Sequence, residues 1–453
     1  MWFLSDLQTI KPALSLGEEQ LSYIELRQKI QDTSKQLKKL PRAVLILNAS
    51  FDFNFIIQLF AALNSGQPVA LFSTQWSQED REEKVALLGD SMSINHQGQI
   101  EEFHENDTVQ YHPELALILF TSGSTGQVKA VQLSQRNIES NSHAVINALE
   151  FTAIANQLLF LPLSYSFGLL GQLIPALMSG ASTQLVSHFT EIKAILEQGN
   201  IPQMWSGVPS HWVAIDRMAQ LFPESAAQVS AVVSAGAPLA VSLRKELRAH
   251  FPNATLYNNY GLTEASPRVL TYSSRDPLFM EDYAGYPVGD WQIKCASDGE
   301  LLIQGSQMML GYLGEEVPQK IQEGWMHTGD LAEILPSGLV AIKGRRDHLV
   351  NVAGEKVNLA ALEDKIRLIQ EIKEVVVVPV SDTLYGVRIH IYVEQNPLLA
   401  QTTEQALTEK IQAHLLPRKI PVTAQFIDKI PRNQHGKVDR TSLMNTLNPL
   451  KEP

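Results

Sequence analysis

A run of glycines and small hydroxyl residues follows an apolar segment in LALILFTSGSTGQVKAVQLS, residues 115–134, and has the composition of a phosphate site. Glycines let a loop turn its backbone N–H groups inward, and Thr and Ser hydroxyls add donors that suit phosphate oxygens. Lys129 adds a cation, but AVQLS is typical of a strand, whereas the lysine of a Walker A loop opens a helix. We therefore favour a phosphate loop of another kind over a plain hairpin turn. Its residues are Thr121, Ser122, Gly123, Ser124, Thr125 and Gly126.

Three charged residues further along the chain are candidates for metal binding or catalysis. Glu264 lies beside the Thr263 hydroxyl and offers hard oxygen ligands to a Mg²⁺ ion that keeps its waters and bridges phosphates, although Thr-Glu also begins many helices. Asp330, in HTGD, is by itself typical of a turn. Lys437, in HGKVDR, lies in a basic stretch that is either a solvated surface or a source of positive charge for a transition state.

The elements that must position these residues follow two patterns. Up to about residue 291, apolar runs alternate with amphipathic stretches, as in AVLILNAS, FNFIIQLFAALNSG and PVALFS, and predict strand–helix–strand units. From Trp291, short runs separated by turns predict β-hairpins. After Arg346, helix and strand patterns predict a compact α+β unit. We expect an α/β protein with an N-terminal domain over residues 1–346 and a C-terminal domain over residues 347–453.

Composition and charge exclude several classes of protein. Apolar residues make up 44% of the 453 residues and charged residues 19%, so a sizeable core is expected and a disordered or fibrous chain is excluded. The net charge of −12 disfavours a nucleic-acid binder. Residues 1–346 hold this whole charge, because residues 347–453 contain 13 basic and 13 acidic side chains.

The single cysteine and the apolar segments bear on the cellular setting. Cys295 is the only cysteine, which excludes an internal disulfide and a thiolate-rich zinc site and favours a reducing cytoplasm. The N-terminus lacks the basic start of a signal peptide. Residues 151–190 contain no Asp, Glu, Lys or Arg, but polar residues interrupt them every few positions. We predict a buried strand, a loop and a buried helix there, as the wall of a ligand pocket, rather than a membrane span.

Six segments, in this order, carry a resemblance to a known family. They are TSGSTGQVK, SAGAPL (234–239), YNNYGLTE (257–264), GWMHTGDL (324–331), GRRDHLVNVAGEKV (344–357) and PRNQHGKVDR (431–440). They resemble the signature motifs of the AMP-forming adenylating superfamily, which includes acyl-CoA synthetases, peptide-synthetase adenylation domains and firefly luciferase. The resemblance implies a large domain of helix-flanked β-sheets with a β-barrel-like part and a small mobile C-terminal domain.

The resemblance also implies residue roles. It assigns Lys437 to the reacting α-phosphate and carboxylate, Glu264 with Thr263 to catalysis and Mg²⁺, Asp330 and Arg345 to the ribose hydroxyls, and Asp347 to the hinge. Gly354 and Lys356 would face the thiol acceptor. Besides the loop and Lys129, the implied nucleotide-binding residues are Gly236, Ala237, Pro238, Asn259, Tyr260 and Gly261. The implied acyl-pocket residues are Tyr165, Ser166, Phe167, Gly168, Ser234 and Ala235.

The implied reaction uses ATP and Mg²⁺ to convert a carboxylic acid to an acyl-adenylate with release of pyrophosphate. The acyl group then passes to the thiol of CoA. An acidic carrier protein with a phosphopantetheine arm is the alternative acceptor, and it would need the basic stretch 410–440 as its docking face. A non-catalytic nucleotide-binding scaffold is a third possibility, which the retained Lys437, Glu264 and Asp330 argue against.

Departures from the family pattern bear on the substrate. Val128 and Ala130 replace the proline and glycine that usually flank the loop lysine, and Tyr165 takes the place of an aromatic or histidine gate. The segment after Tyr165 supplies no acid to pair with a substrate ammonium, which is costly to bury unpaired. We therefore predict a fatty or aryl acid without an α-amino group. Arg268, four residues after Glu264, either meets a second carboxylate or lies on the surface.

Overall fold

The structure is a computed structural model, and it describes residues 1–4, 9–95, 99–122, 128–314, 320–346, 349–352, 355–382, 386–397, 403–414, 420–432 and 438–447. Two compact units divide the chain. Unit 1 comprises Met1–Ala296, Leu302–Thr328 and Glu333–Ala341, and unit 2 comprises Ser297–Leu301, Gly329–Ala332 and Ile342–Pro453. Unit 2 thus takes in Ser297–Leu301, Gly329–Ala332 and residues 342–346, which all precede the boundary that the sequence pattern places between residues 346 and 347. The domain division itself stays a prediction.

Strands and helices alternate through the first two-thirds of the chain, as the apolar patterns predict. The strands are β1 (Pro12–Leu16), β2 (Glu19–Ser22), β3 (Val44–Ala49), β4 (Val69–Ser73), β5 (Ser91–Ile94), β6 (Ile100–His104), β7 (Leu115–Ser122), β8 (Val128–Ser134), β9 (Asn156–Leu159), β10 (Ser182–Leu185), β11 (Met204–Gly207), β12 (Ala231–Ser234), β13 (Thr255–Gly261), β14 (Arg268–Ser273), β15 (Tyr286–Pro287), β16 (Gln292–Cys295), β17 (Glu300–Gln304), β18 (Gly311–Tyr312), β19 (Ile321–Gln322), β20 (Trp325–Ile334), β21 (Val340–Arg345), β22 (Leu349–Val352), β23 (Glu355–Asn358), β24 (Ile372–Asp382), β25 (Gly386–Gln395) and β26 (Val422–Phe426).

The helices connect these strands and cover the sheets. They are α1 (Tyr23–Leu37), α2 (Phe53–Ser65), α3 (Gln78–Ala86), α4 (Gln135–Ala148), α5 (Ser166–Gly168), α6 (Ile174–Ser179), α7 (Glu191–Gln198), α8 (Pro209–Ala219), α9 (Pro223–Ala226), α10 (Val241–His250), α11 (Leu359–Arg367), α12 (Glu404–His414) and α13 (Arg440–Leu447). A π-helical turn, Leu169–Leu173, joins α5 to α6, and a 3₁₀ turn, Thr263–Ala265, precedes β14.

A seven-stranded sheet in unit 1 has the order β18-β8-β7-β4-β3-β5-β6. Strands β3 and β4 pair in parallel, and α2 connects them. The helix begins where the Asp52 side chain accepts a hydrogen bond from Phe55 N at 2.7 Å, and it ends at Gly66, whose φ is 79°. Antiparallel pairing of β7 with β8 then fixes the two ends of the hydroxyl- and glycine-rich segment next to each other.

A nine-stranded sheet, also in unit 1, has the order β15-β14-β13-β12-β11-β9-β10-β1-β2. Strands β10, β9, β11, β12 and β13 pair in parallel. The carboxyl ends of parallel strands meet at one edge of a sheet, which is where open α/β sheets bind ligands. The last residues of β12 and β13 and the segments that follow β9 and β12 contain the predicted acyl-pocket and nucleotide-binding residues, so the topology brings these residues to one edge.

The charge-free segment 151–190 folds as predicted. It contains β9, a loop, the continuous helical run α5, π-turn and α6, and β10. Among the residues that the structure describes, no helix combines the length and apolar character needed to cross a membrane.

Unit 2 contains a three-stranded sheet of order β24-β25-β26 and the two-stranded sheet of β22 and β23. Its apolar core includes Leu362 and Ile366 of α11, Val375 of β24, Ile391 of β25 and Leu407 of α12. The remaining five-stranded sheet has the order β16-β17-β20-β19, with β21 beside β20. The fold is thus a mixed α/β architecture, and its C-terminal residues combine helices and strands, as expected of an α+β unit.

Candidate active site

The hairpin of β7 and β8 carries the first group of predicted site residues. Thr121 lies opposite Lys129, and Phe120 lies opposite Ala130. The Lys129 ammonium is 5.1 Å from the centre of the Tyr312 ring, within the range of a cation–π interaction. Gly123, Ser124, Thr125 and Gly126 lie outside the described residues, as does the side chain of Ser122. The phosphate-binding role of this loop stays a prediction.

Glu264 is the most heavily constrained of the predicted site residues. Its side chain is buried, and its Oε1 accepts a hydrogen bond from the Tyr312 hydroxyl at 2.5 Å. The Lys320 ammonium is 3.5 Å from the same oxygen. The main chain is held too, because Met309 N donates to the Glu264 carbonyl at 2.8 Å. These contacts fix the carboxylate in one orientation.

Glu264 has the chemistry of a magnesium ligand that works together with a bound phosphate. Among the described residues, no cluster of three or more His, Cys, Asp or Glu side chains could hold a metal alone. Mg²⁺ in phosphate sites commonly takes one or two carboxylates and completes its shell with water and phosphate oxygens. A single oriented carboxylate fits that pattern, and neither the Tyr312 nor the Lys320 contact uses Oε2.

Thr263 links the Glu264 turn to the charge-free segment. Its Oγ1 is 3.1 Å from the hydroxyl of Ser166, the first residue of α5. Gly168 lets this segment fold tightly, since a Cβ there would lie 2.5 Å from the Pro162 carbonyl oxygen. The predicted acyl-pocket segment and the predicted metal-binding turn are therefore in direct contact through two hydroxyls.

The ends of β12 and β13 are held together by Asn259. Its Nδ2 donates to the Ser234 carbonyl at 3.2 Å, and its Oδ1 accepts from the Thr271 hydroxyl at 2.8 Å. Asn259 therefore orients the strand end. Position 261 requires glycine for a steric reason, because a Cβ there would lie 1.9 Å from the Pro267 carbonyl oxygen.

The segment after β12 turns outward from the sheet. Ala235 is buried and its N–H donates to the Gly207 carbonyl at 3.3 Å, whereas Gly236, Ala237 and Pro238 are exposed. Gly236 adopts a φ of 85°, which favours glycine. Tyr260 is half-buried one residue before Gly261, and Tyr165 is half-buried before α5. These positions leave backbone and aromatic surface accessible at the ligand-binding edge of the sheet.

Arg268 is buried, so the alternative that it lies on the surface is wrong. Its side chain is 2% exposed at the start of β14. Burial lowers the pKa of Arg268 to about 9. The Nη1 and Nη2 atoms have no hydrogen-bond partner among the described residues.

Asp330 and Arg345 come together in unit 2. Arg345 Nη1 donates to Asp330 Oδ1 at 3.4 Å. Glu300 contacts the neighbours of both residues in the chain. Its Oε1 accepts a hydrogen bond from Gly329 N at 2.8 Å, and its Oε2 accepts one from Arg346 Nη1 at 2.8 Å. A carboxylate that is oriented by an adjacent guanidinium can accept hydrogen bonds from a pair of hydroxyls.

The residues that the resemblance assigns to the α-phosphate, the hinge and the thiol acceptor lie outside the described residues in whole or in part. These are Lys437, Asp347 and Gly354, together with the side chain of Lys356 in β23. The chain on either side of Lys437 is described. Arg432 and Val438 form an antiparallel bridge, and Arg440 donates to the buried Glu363 at 2.9 Å and to the Val377 carbonyl at 2.8 Å.

Two family models match this chain. Residues 73–313 match the model described as "AMP-binding enzyme", and residues 361–437 match that of the "AMP-binding enzyme C-terminal domain". The first match alone covers more than half of the sequence. The chain belongs to the AMP-binding enzymes. The resemblance to the AMP-forming adenylating superfamily is thereby confirmed.

Similar AMP-binding enzymes include ligases with different thiol acceptors. A D-alanine–D-alanyl carrier protein ligase of Lactococcus lactis is 29% identical over 72% of this chain and 69% of its own length. A ligase of Rhodococcus jostii named as 3-[(3aS,4S,7aS)-7a-methyl-1,5-dioxo-octahydro-1H-inden-4-yl]propanoyl:CoA ligase is 26% identical over 72% of this chain and 64% of its own length.

Solved structures share the fold across the whole chain. ATP-bound MatB from Rhodopseudomonas palustris has a TM-score of 0.82 at 19% identity and covers 98% of this chain and 97% of its own. The o-succinylbenzoate CoA synthetase of Bacillus subtilis with its acyl-adenylate has a TM-score of 0.81 at 22% identity. It covers 100% of this chain and 98% of its own. These likenesses confirm the predicted fold class.

Sequence reasoning missed the two groups that hold Glu264. Tyr312 is 48 residues from Glu264 along the chain, and Lys320 lies further still. Tyr312 occurs in MLGYLG, a segment whose local composition carries no sign of catalysis or binding. Only the pairing of β18 with β8, which brings Tyr312 beside Lys129 and Glu264, reveals its place.

Proposed function

We propose that this AMP-binding enzyme uses ATP to convert an organic acid to its acyl-adenylate and then transfers the acyl group to the thiol of CoA. The observation that carries this proposal is the Glu264 cluster. A buried carboxylate, oriented by Tyr312 and Lys320, adjoins the Thr263–Ser166 hydroxyl pair at the carboxyl end of the parallel strands.

The two half-reactions follow from leaving-group chemistry. A thiol cannot displace oxide from a carboxylate, but it can displace AMP from an acyl-adenylate. Attack of the carboxylate oxygen on the α-phosphorus forms the acyl–phosphate bond and breaks the bond to pyrophosphate. Lys437, by its match to the family motif, supplies a positive charge where negative charge develops.

The residues of this chain then have distinct tasks. Lys129 and the loop 121–126 bind phosphate oxygens, and Asp330 with Arg345 binds the ribose hydroxyls. Glu264 holds Mg²⁺, which neutralises phosphate charge when it is bound. Thr263 and Ser166 lie between the metal-binding turn and the acyl pocket and orient the substrate carboxylate by hydrogen bonding.

The acid is proposed to lack an α-amino group. No acidic residue occurs in Ser166–Phe167–Gly168–Leu169. A substrate ammonium would therefore have no carboxylate partner in this segment, and an unpaired charge is costly to bury. On this ground the substrate differs from the D-alanine that names several relatives.

A carrier protein is the second candidate acceptor. Relatives from Lactococcus and Staphylococcus are named as carrier protein ligases, whereas the Rhodococcus relative is named as a CoA ligase. The phosphopantetheine arm of a carrier and CoA present the same thiol, so both acceptors suit the same chemistry. The basic residues of 410–440 offer a docking face for an acidic carrier.

The test is a pyrophosphate-release assay over a panel of fatty and aryl acids with ATP and Mg²⁺, repeated with CoA and with a holo carrier protein. We expect pyrophosphate release with at least one acid. With that acid and CoA, we expect a thioester to form on CoA. A thioester formed only on the carrier would favour the second acceptor. Absence of release with every acid would favour a nucleotide-binding scaffold.

Lys437→Ala serves as the matched variant in that assay, and Lys429→Ala, an exposed lysine nearby, serves as its control. We expect Lys437→Ala to slow adenylate formation by at least about 100-fold while thiolysis of supplied acyl-AMP continues. Pyrophosphate release equal to that of Lys429→Ala would remove Lys437 from this role.

A further inference from the structure

Arg268 is a buried cation with two unsatisfied nitrogens. Its side chain is 2% exposed, and neither Nη1 nor Nη2 has a hydrogen-bond partner in the described part of the chain. No carboxylate within the described part of the chain forms an ion pair with it. Buried charges are costly unless they are paired and hydrogen-bonded, so a guanidinium left in this state is unusual.

The backbone of Arg268 is held firmly, which fixes where its side chain emerges. Its N–H donates to Asn141 Oδ1 at 3.1 Å, and its carbonyl accepts from Trp291 Nε1 at 2.7 Å. Asn141 in turn donates to the Leu170 carbonyl at 3.1 Å. The residue is therefore tied to the π-helical turn Leu169–Leu173, and π-helical turns often occur at functional sites.

The guanidinium reaches the predicted acyl-pocket segment. Its carbon is 5.8 Å from the centre of the Phe167 ring, and a Cβ at Gly171 would lie 3.5 Å from Nη2. The contact with the half-buried Phe167 compensates part of the cost by a cation–π interaction but uses no N–H donor. Phe167 is adjacent to Ser166, whose hydroxyl contacts Thr263. The guanidinium thus lies over the ring of the residue next to Ser166, and Ser166 carries one of the two hydroxyls proposed to orient the reacting acid.

A second buried arginine of unit 1 shows what a structural role looks like in this protein. Arg244 is also 2% exposed. Its Nε donates to the Leu239 carbonyl at 2.9 Å, and its Nη1 donates to the carbonyls of Phe279 and Glu281 at 2.7 and 2.9 Å. The N–H groups of Arg244 therefore hold backbone carbonyls of neighbouring loops in place. The Nη atoms of Arg268, in contrast, donate to no described residue.

We propose that Arg268 binds a second anionic group, a carboxylate, at the far end of the acid that the enzyme activates. The proposal rests on the proposed function and narrows its substrate class from organic acids to dicarboxylic acids. A planar carboxylate can accept two parallel N–H bonds from Nη1 and Nη2, which is the geometry that arginine offers to a carboxylate. A monocarboxylic acid of the same length would leave the guanidinium unpaired.

The experiment compares matched pairs of acids that differ only in the distal group: butanoate with succinate, hexanoate with adipate, and 4-methylbenzoate with terephthalate. Acid-dependent ATP–pyrophosphate exchange gives kcat and KM for each. For the preferred pair, we expect the diacid to exceed the monoacid in kcat/KM by at least about 100-fold, as for a buried charged contact. The advantage should lie mainly in KM.

Three variants distinguish recognition of the second carboxylate by Arg268 from a role of Arg268 in packing alone. Arg268→Met should reduce the ratio of diacid to monoacid kcat/KM by about 100-fold, and Arg268→Lys should restore part of it. Arg244→Met, the matched buried control, should lower the melting temperature and leave the ratio as in the wild type. If Arg268→Met does not fold, the comparison between Arg268→Lys and the wild type carries the test.

The outcomes distinguish this proposal from the function on which it rests. Exchange with monoacids but with no diacid, or an Arg268→Met variant that keeps the wild-type ratio, would overturn the dicarboxylate proposal alone. Absence of exchange with every acid would overturn both. A diacid preference that Arg268→Met abolishes and Arg268→Lys partly restores would support it.

Discussion

Tyr312 and Lys320 both contact Oε1 of Glu264, so two groups from one side of the turn orient this carboxylate. A hydrogen bond that a buried carboxylate accepts from a hydroxyl restricts its rotation. The orientation matters for a magnesium ligand, because Mg²⁺ demands near-ideal octahedral geometry. We therefore expect the tyrosine to act on a bound Mg²⁺ through Glu264.

Removal of the Tyr312 hydroxyl tests this positioning role. We expect Tyr312→Phe to raise the Mg²⁺ concentration needed for half-maximal pyrophosphate release by about tenfold, and to cost about 1 kcal/mol of unfolding free energy. Tyr23→Phe is the control, since the Tyr23 hydroxyl is buried and donates to the Ala181 carbonyl at 2.9 Å outside the site. An equal Mg²⁺ requirement in both variants would show that the Tyr312 bond is only structural.

At the scale of elements, the start of α13 is fastened to α11. Arg440, three residues after Lys437, donates to the Glu363 carboxylate at 2.9 Å, and Val377 N donates to the same side chain at 2.8 Å. Arg432 and Val438, which flank residues 433–437, form an antiparallel bridge. These contacts hold both ends of the stretch that contains the predicted catalytic lysine.

Glu363→Gln should therefore weaken both the unit and the catalytic step. The substitution removes the charge of a buried carboxylate that accepts from the half-buried Arg440, and we expect a loss of about 2 kcal/mol in unfolding free energy by urea titration. Adenylate formation should slow more than thiolysis. Glu371→Gln is the control, because the Glu371–Lys410 pair at 3.9 Å is solvent-exposed and should contribute little. Equal slowing of both half-reactions would contradict the positioning role.

A second element-scale prediction concerns the packing of α8 on the sheet. The His211 ring lies 5.3 Å from the rings of both Phe160 and Phe189, and its Nδ1 accepts a hydrogen bond from Val208 N at 3.4 Å. Burial lowers the pKa of His211. The unfolded chain then binds a proton more readily than the folded one, so stability is lost as pH falls below the ordinary histidine pKa of about 6.5.

Urea titrations between pH 7.5 and pH 5 check this prediction. We expect the unfolding free energy to fall over that range in the wild type and to fall less in His211→Gln, which cannot take up a proton. His188→Gln, which changes an exposed histidine outside the cluster of His211, Phe160 and Phe189, should follow the wild type. Equal pH dependence in all three proteins would remove His211 as the cause.

The elements were predictable from sequence to the extent that their signals are local. The apolar alternation predicted β3, α2 and β4, and the charge-free run predicted the strand, loop and helix between residues 151 and 190. The surroundings of Glu264 and Arg268 were not predictable. Tyr312 reaches Glu264 through the pairing of β18 with β8, and the burial of Arg268 depends on α4 and Trp291. Such contacts arise between residues far apart in the chain.

At the scale of the whole molecule, the uneven charge separates two tasks. Residues 1–346 hold the entire charge of −12, yet they contain the predicted phosphate loop. The field of this part of the chain opposes a polyanion such as ATP, so we expect the proposed phosphate binding to depend on local donors, Lys129 and Mg²⁺. Residues 347–453 have equal numbers of basic and acidic side chains, and the predicted catalytic Lys437 lies in a basic stretch among them.

The last prediction concerns how Lys437 and the thiol acceptor share one substrate. Adenylation and thiolysis need different neighbours at the same acyl group, and the resemblance assigns Asp347 as the hinge that alternates them. A hinge residue must change its φ and ψ, whereas proline fixes φ near −65°. We therefore expect Asp347→Pro to retain one half-reaction, adenylate formation, and to lose thioester formation by at least about 100-fold.

Asp347→Ala is the matched variant, since alanine removes the carboxylate but leaves φ free. Single-turnover assays of pyrophosphate release and of thiolysis with supplied acyl-AMP measure the two half-reactions separately. If Asp347→Ala and Asp347→Pro lose thiolysis equally, the carboxylate rather than backbone rotation is required. If Asp347→Pro retains both half-reactions, rotation at this residue has no part in the cycle, and both steps occur without a change at Asp347.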